Sequence, residues 1–268
     1  MHINRFMVYD LTNIFHRAPD QTKAKALIMM GGIYPTKSYF DMQTQEDSFA
    51  DILTDRGIEW WTFDSIGTGI SDAKLPFGDH HDTNLKIARQ LVLDNNIEYI
   101  MGYSYSVLLA ARLITENKHT IKKAFFWDPW ANANPSKDYL DDDYQIFDKL
   151  DYMKSMIRLG VTVTPRILQD HIDNMFLTEG SKKQIFPSYS HHASTRAMQE
   201  LSYGPSQVND LGKILPIKIA FSKNSWPKVR ESFREEDRLF YEDCSHWIWL
   251  EPGRYRLADD FCEFILDE

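Results

Sequence analysis

The chain has 268 residues, of which 43% are hydrophobic, 13% aromatic and 26% charged, a profile that excludes disordered, collagen-like and disulfide-stapled proteins. Thirty basic against 39 acidic residues leave a formal charge of −9, so there is no basic footprint to neutralise phosphates, and neither nucleic acid nor an anionic membrane is an expected partner. A chain of this length can bury the core of one large α/β domain or two small ones, and one domain with an insertion is expected.

The N-terminal stretch from Met1 to Asp20 carries polar groups every few positions and lacks the continuous apolar segment of a signal peptide. The apolar runs farther along are strand-sized, well short of the roughly 20 residues that cross a bilayer. Cys244 and Cys262 could pair, but so sparse a count beside an adequate core points to free thiols in a reducing compartment. A soluble, cytoplasmic protein is expected.

Ala26 to Met30 is a short apolar run stopped by Gly31-Gly32, and Ile58 to Phe63 is another, stopped by Asp64 and a glycine-rich stretch. Both have the pattern of buried strands that end in loops. Between them Glu46 to Arg56 places Phe49, Ile52 and Leu53 at helical spacing, and Thr83 to Asp94 does the same with Leu85, Ile87, Ala88, Leu91 and Val92. The alternation continues through Ile97 to Met101 as strand, Val107 to Glu116 as helix and Lys123 to Trp127 as strand. Fully apolar strands alternating with helices predict a mostly parallel sheet covered by helices on both faces.

The pattern breaks at Asp128-Pro129 and resumes at Pro216 to Phe221, followed by a helix around Trp226 to Phe233, a strand at Arg238 to Glu242 and a closing helix from Arg254 to Leu266. The interval holds helical segments such as Tyr144 to Leu159. It predicts a helical cap over 130–208, inserted into an α/β core formed by 1–129 and 209–268. Asp141-Asp142-Asp143 has the character of a solvated helix start, and no internal repeat or low-complexity tract is evident. The pairs His80-His81 and His191-His192 are adjacent residues without a well-spaced third ligand, so they are expected at the surface or a pocket rim, and no metal is expected.

Ile97 to Met101 runs into Gly102-Tyr103-Ser104-Tyr105-Ser106 and directly into a helix. A serine on a tight strand-to-helix turn has its hydroxyl exposed above the sheet, and small flanking residues permit the turn; Ser106 stands where a second glycine is usual. Upstream, Asp64-Ser65-Ile66-Gly67-Thr68-Gly69-Ile70-Ser71-Asp72 has the form Asp-x-x-Gly-x-Gly-x-Ser-Asp, and downstream Cys244-Ser245-His246 leads through apolar residues to Leu250-Glu251-Pro252. In this order and context the segments resemble the α/β-hydrolases of the broad esterase and lipase type. The resemblance spans nearly the whole chain apart from the insertion.

The resemblance implies a nucleophile at Ser104 and a general base at His246, whose imidazole can take the serine proton and return it to a leaving group. It implies an oxyanion site from the backbone N–H groups of Gly32 and Tyr105, with Met30 standing where histidine is frequent; a tight turn that merely needs glycine is the alternative for Gly31-Gly32. The acid departs from the usual pattern. In most such proteins it follows the strand placed here at Pro216 to Phe221, but that loop, Ser222-Lys223-Asn224-Ser225-Trp226-Pro227, has no carboxylate. Some branches carry it one strand earlier, which points to Asp128; Asn224 as a neutral orienting group, or a Ser–His dyad, are the alternatives. Tyr103, Trp127 and Trp130, together with Tyr105, flank the site as an apolar acyl pocket or as ordinary core.

The activity implied is hydrolysis of a carboxylic ester or thioester of a small or medium apolar acyl group, on a small-molecule substrate and without a cofactor. Acyl-thioesterase or acyltransferase chemistry is the near alternative. A non-catalytic ligand-binding or signalling protein on the same fold is the distant one, and the missing acid after the Pro216 to Phe221 strand is the feature that speaks for it.

Overall fold

The computed structural model describes residues 12–30, 47–66, 79–104, 106–117, 119–129, 162–163, 193–194, 211–223, 225, 230–231 and 233–267. In chain order these form β1 (Ile14–Arg17), β2 (Ala24–Met30), α1 (Phe49–Asp55), β3 (Ile58–Phe63), α2 (Asp79–Asn95), β4 (Tyr99–Tyr103), α3 (Ser106–Glu116) and β5 (Lys123–Trp127). There follow β6 (Thr162–Val163), β7 (Ala193–Ser194), β8 (Ile217–Ser222), β9 (Arg238–Tyr241) and α4 (Arg254–Leu266). No helix among the described residues is long and apolar enough to cross a membrane.

Seven strands form one sheet in the order β1-β3-β2-β4-β5-β8-β9, parallel throughout except for β1, which pairs antiparallel with β3. The parallel pairing follows from the alternation of strands with helices, because parallel neighbours need a crossover connection between them. Among the described residues the expected strands and helices lie where the periodicity places them, with ends shifted by a few residues; α2 begins earlier, at Asp79, and β4 runs on to Tyr103. β1 is the element the sequence pattern does not reveal. It is a short edge strand with little apolar alternation, held by its pairing and by His16 stacked on Trp61, ring centroids 4.4 Å apart.

Within 130–208 the described residues are those of β6 and β7, an antiparallel pair separate from the main sheet. The helical character expected for that interval, and most of the helix expected around Trp226 to Phe233, lie outside the described residues.

Successive strand residues face opposite sides, and the two sides form two cores. Leu27, Met29, Ile100, Ala124 and Phe126 pack with Leu85, Ala88, Val107 and Ala110 of α2 and α3. Ala26, Ile28, Met30, Met101, Tyr103, Phe125 and Trp127 pack on the other side with Phe49, Ile52 and Leu53 of α1 and with Leu257, Phe261 and Ile265 of α4. Both faces are dry, which is why the strands are continuous apolar runs rather than alternating ones. α1 starts at a capping box: the Ser48 hydroxyl accepts from the Asp51 N–H at 3.1 Å, and the Asp51 carboxylate accepts from the Ser48 N–H at 3.0 Å. His80 and His81 are buried at the start of α2, contrary to the surface or rim position expected for them, because α2 begins a turn before the apolar periodicity does.

The strand order places a crevice. The chain leaves β2 toward β3 on one side and leaves β4 toward β5 on the other, so the connections diverge above the C-terminal ends of two adjacent strands. Gly102 near the tip of β4 lets α3 approach closely: a Cβ there would lie 3.1 Å from Phe126 Cδ1 and 3.3 Å from Val107 Cα. Gly102→Ala therefore crowds a rigid contact, and chemical denaturation is expected to show a loss of about 1–3 kcal/mol of stability.

Candidate active site

Three segments meet above the strand tips. Ser104 follows β4 with φ 52°, and Asp128 follows β5 with φ 46°, both in the left-handed region that side chains seldom adopt. Such residues persist only where their surroundings over-determine them, at a cost of about 1–3 kcal/mol each. The Ser104 N–H donates to the Trp127 carbonyl at 2.9 Å and its own carbonyl accepts the Val107 N–H at 3.3 Å, which ties it between β5 and the first turn of α3. The Asp128 N–H donates to the Ala220 carbonyl of β8 at 2.8 Å. Both backbones thus extend the ladder by one bond and then turn sharply.

The side chains of Ser104 and Asp128 reach the same imidazole. His246 Nε2 lies 3.0 Å from Ser104 Oγ, and His246 Nδ1 lies 2.5 Å from Asp128 Oδ2. An ionised carboxylate can only accept, so Nδ1 carries the proton and donates to Asp128; in neutral imidazole Nε2 is then the acceptor, and the Ser104 hydroxyl donates to it. Asp128 is 5% exposed and Ser104 7%, so the carboxylate and the hydroxyl are buried, while the imidazole between them is half-buried and meets solvent.

Asp128 has further donors. Ser222 Oγ donates to Oδ2 at 2.8 Å and Ser225 Oγ donates to Oδ1. Burial pushes the Asp128 carboxyl up, but the charge and the hydrogen bond of His246 and the hydroxyls of Ser225 and Ser222 together outweigh it and hold the carboxyl below the usual carboxylate range. The loop after β8 that lacks a carboxylate therefore supplies two hydroxyls to one. Neither serine was singled out in the sequence, where the available signal is a serine pair three residues apart beside the strand that carries the acid in most proteins of the resembled family.

His246 itself is held from both sides of the chain. The preceding Ser245 N–H donates to Glu251 Oε2 at 2.9 Å, and its hydroxyl donates to the same carboxylate. That hydroxyl also accepts the Trp247 N–H at 3.1 Å. The His246 carbonyl accepts the Trp127 indole N–H at 3.1 Å, and the Lys223 N–H bonds the Cys244 carbonyl at 3.0 Å, joining the loop to the end of β8. Glu251 is thus a buried anchor of the histidine loop, a role that the Leu250-Glu251-Pro252 ending did not disclose by itself.

Of the residues expected to line an acyl pocket, Tyr103 is 5% exposed with its ring 4.8 Å from that of His246. Trp127 is fully buried, edge-on to Tyr241 and Trp249, and its indole N–H is used on the histidine loop. Trp130, Gly31, Gly32, Tyr105 and Asn224 lie outside the described residues, as does 67–78, the greater part of the glycine-rich loop. Its first residues are anchored: the Asp64 N–H donates to the Asn13 carbonyl at 3.1 Å, and the Ile66 N–H donates to Asn84 Oδ1 at 2.8 Å.

No group of three or more His, Cys, Asp or Glu side chains among the described residues is placed to hold a metal ion. Cys244 and Cys262 are free and buried, and burial, the largest cause for each, pushes both thiols up to about 12. They are small apolar fillers rather than nucleophiles.

No protein-family model and no curated protein matches the chain. Solved structures do. An esterase from Exiguobacterium antarcticum aligns over 96% of this chain and 96% of its own, with a TM-score of 0.71 at 14% identity. A bromoperoxidase from Bacillus anthracis aligns over 95% and 94%, with a TM-score of 0.58 at 18% identity. A thermophilic esterase from Thermogutta terrifontis aligns over 95% and 93%, with a TM-score of 0.64 at 13% identity. The chain has the α/β-hydrolase fold.

The lowered Asp128 carboxyl has a consequence for stability. An unfolded carboxyl titrates near about 3.9, so ionised Asp128 contributes stability above that pH, and the contribution is lost as pH falls through the lower folded value. Asp128→Asn removes this titration. Urea unfolding at stepped pH is expected to show wild type losing stability more steeply than the variant as the pH drops below about 4.

Proposed function

We propose that the chain is a serine hydrolase that cleaves a carboxylic ester or thioester of a small or medium apolar acyl group through an acyl-enzyme. The single observation that carries the proposal is the continuous contact from Ser104 Oγ to His246 to the Asp128 carboxylate, at the crevice of an α/β-hydrolase fold. Ser104 attacks the acyl carbonyl carbon while its proton passes to His246 Nε2. Asp128 holds the imidazole in the tautomer that accepts at Nε2 and stabilises the imidazolium that forms. His246 then protonates the leaving alcohol or thiol, and the same steps with water as nucleophile release the acid.

In this reading the tetrahedral oxyanion is bound by the N–H groups of Gly32 and Tyr105, and neither cofactor nor metal takes part. Tyr103 supports the apolar side of the site, Trp130 is an expected lining residue, and Trp127 acts from behind through the histidine loop. The segment 130–208 serves as a cap on a core made of 1–129 and 209–268. The substrate is a small acyl compound met in the cytoplasm. Thioester cleavage and acyl transfer use the same acyl-enzyme and differ in the leaving group or the acceptor, so they belong to the same proposal. The proximity of Asp128 to His246 supports this reading over a purely ligand-binding role, which rested on the acid missing after β8.

A fluorophosphonate probe is expected to label wild type and not Ser104→Ala. Failure to label folded wild-type protein would overturn the proposal. With an acyl ester or thioester that is turned over, Asp128→Asn is expected to reduce kcat by about 10³- to 10⁴-fold through loss of the correct tautomer. A variant within tenfold of wild type would remove Asp128 from the relay.

A further inference from the structure

We propose that Ser222 and Ser225 are positioning residues of this site, which fix the Asp128 carboxylate in one rotation and keep it an acceptor for His246. The inference rests on the hydrolase reading for its link to turnover, but its structural content does not.

A carboxylate is nearly two-fold symmetric and turns readily about its last bond, so a single hydrogen bond to the histidine would not determine which oxygen faces it. Here each oxygen has its own partner. Oδ2 takes His246 Nδ1 at 2.5 Å and Ser222 Oγ at 2.8 Å, and Oδ1 takes Ser225 Oγ. The two hydroxyls are 3.3 Å apart, yet each has one proton, and with both protons directed at the carboxylate neither donates to the other. A neutral carboxyl would need an acceptor among three donors, and one hydroxyl would have to turn away from it. The cluster is thus built for the anion.

The placement is also over-determined. Ser222 is the last residue of β8 and fully buried, and the Ser225 N–H bonds the Ser222 carbonyl at 3.1 Å, closing a turn that brings both hydroxyls to one side. On the β5 side of β8 the neighbouring strand tips contribute Asp128, just after β5, and beyond it Ser104, just after β4. Among the described residues, the titratable group in contact with the carboxylate is His246, from the loop after β9. Tyr103 of β4 faces the imidazole instead, and Tyr241 of β9 directs its hydroxyl to Asp260. A change in the two serines therefore acts on Asp128 and, through it, on His246.

A carboxylate stripped of a hydroxyl donor is a stronger base toward its remaining partner, so the imidazolium holds its Nδ1 proton more tightly. The test is an NMR titration of the His246 ring in the full chain, comparing wild type with Ser222→Ala, Ser225→Ala and Ser225→Thr. In both alanine variants His246 is expected to titrate about half to one pH unit higher, and in Ser225→Thr, which keeps the hydroxyl, it is expected to stay at the wild-type value. With a substrate, the acid limb of kcat/KM moves by the same amount, kcat falls by up to about tenfold and KM is unchanged. If Ser222→Ala does not fold, Ser225→Ala at its less buried site carries the comparison. Folded alanine variants whose His246 titrates with wild type or lower would overturn the inference. The titration needs no turnover, so a protein inert toward every acyl ester would count against the hydrolase reading and leave this result to stand or fall by itself.

Discussion

The contact between the Asp128 carboxylate and His246 Nδ1 is the constraint on which the site depends. It joins positions 118 residues apart, and it places a charge where water barely reaches. An isolated buried carboxylate would be neutralised rather than tolerated, so the contact requires donors on every accessible side. The structure provides them from two segments, and each is fixed by something other than the site: the end of β8 by its parallel ladder and a closed turn, and the histidine loop by its bonds to Glu251. The contact is therefore held by the fold.

The sheet does most of the positioning. Strand tips in a parallel sheet lie side by side, and residues just past them can turn outward at the price of an unusual backbone conformation. Ser104 and Asp128 both do this, on neighbouring strands and with nearly equal positive φ. Neither is glycine, which would adopt such a conformation freely but has no side chain to offer. Two strained residues side by side at the crevice of an open α/β sheet mark the place where geometry has been favoured over local stability.

Much of this was legible from the residues. The strands β2 to β5 and β8 are apolar runs because both sheet faces are covered there, and the helices that cover them repeat their apolar positions every three or four residues. Ser104 and His246 could be singled out because the elbow and the Leu250-Glu251-Pro252 ending are local patterns. What could not be read were features made by pairing at a distance. β1 is a short edge strand whose identity comes from β3, and the burial of His80 and His81 depends on where α2 begins. Ser222 and Ser225 have no local mark as donors to a carboxylate, since their partner lies 94 and 97 residues away. Asp128 could be named as a candidate, but an Asp-Pro pair at a strand end also describes a plain turn, and only its distance to His246 distinguishes the two.

The location of the Asp128 carboxylate follows from the same sheet geometry. β5 and β8 are adjacent parallel strands, and neighbouring strands lie about 4.8 Å apart, which is within the span of a side chain. A carboxylate at either tip can therefore approach the same imidazole. What distinguishes the tips is the backbone and the company each can offer. At β5 the chain turns at Asp128 into the left-handed region while its N–H remains bonded to β8, which aims the carboxylate across the gap rather than along the strand. The β8 tip, freed from supplying the acid, contributes hydroxyls to it instead. A carboxylate at Ser222 or Ser225 would place a second anion beside Asp128, where like charges disfavour each other's ionisation. The arrangement suits one carboxylate, and the residues that face it from the end of β8 are neutral donors.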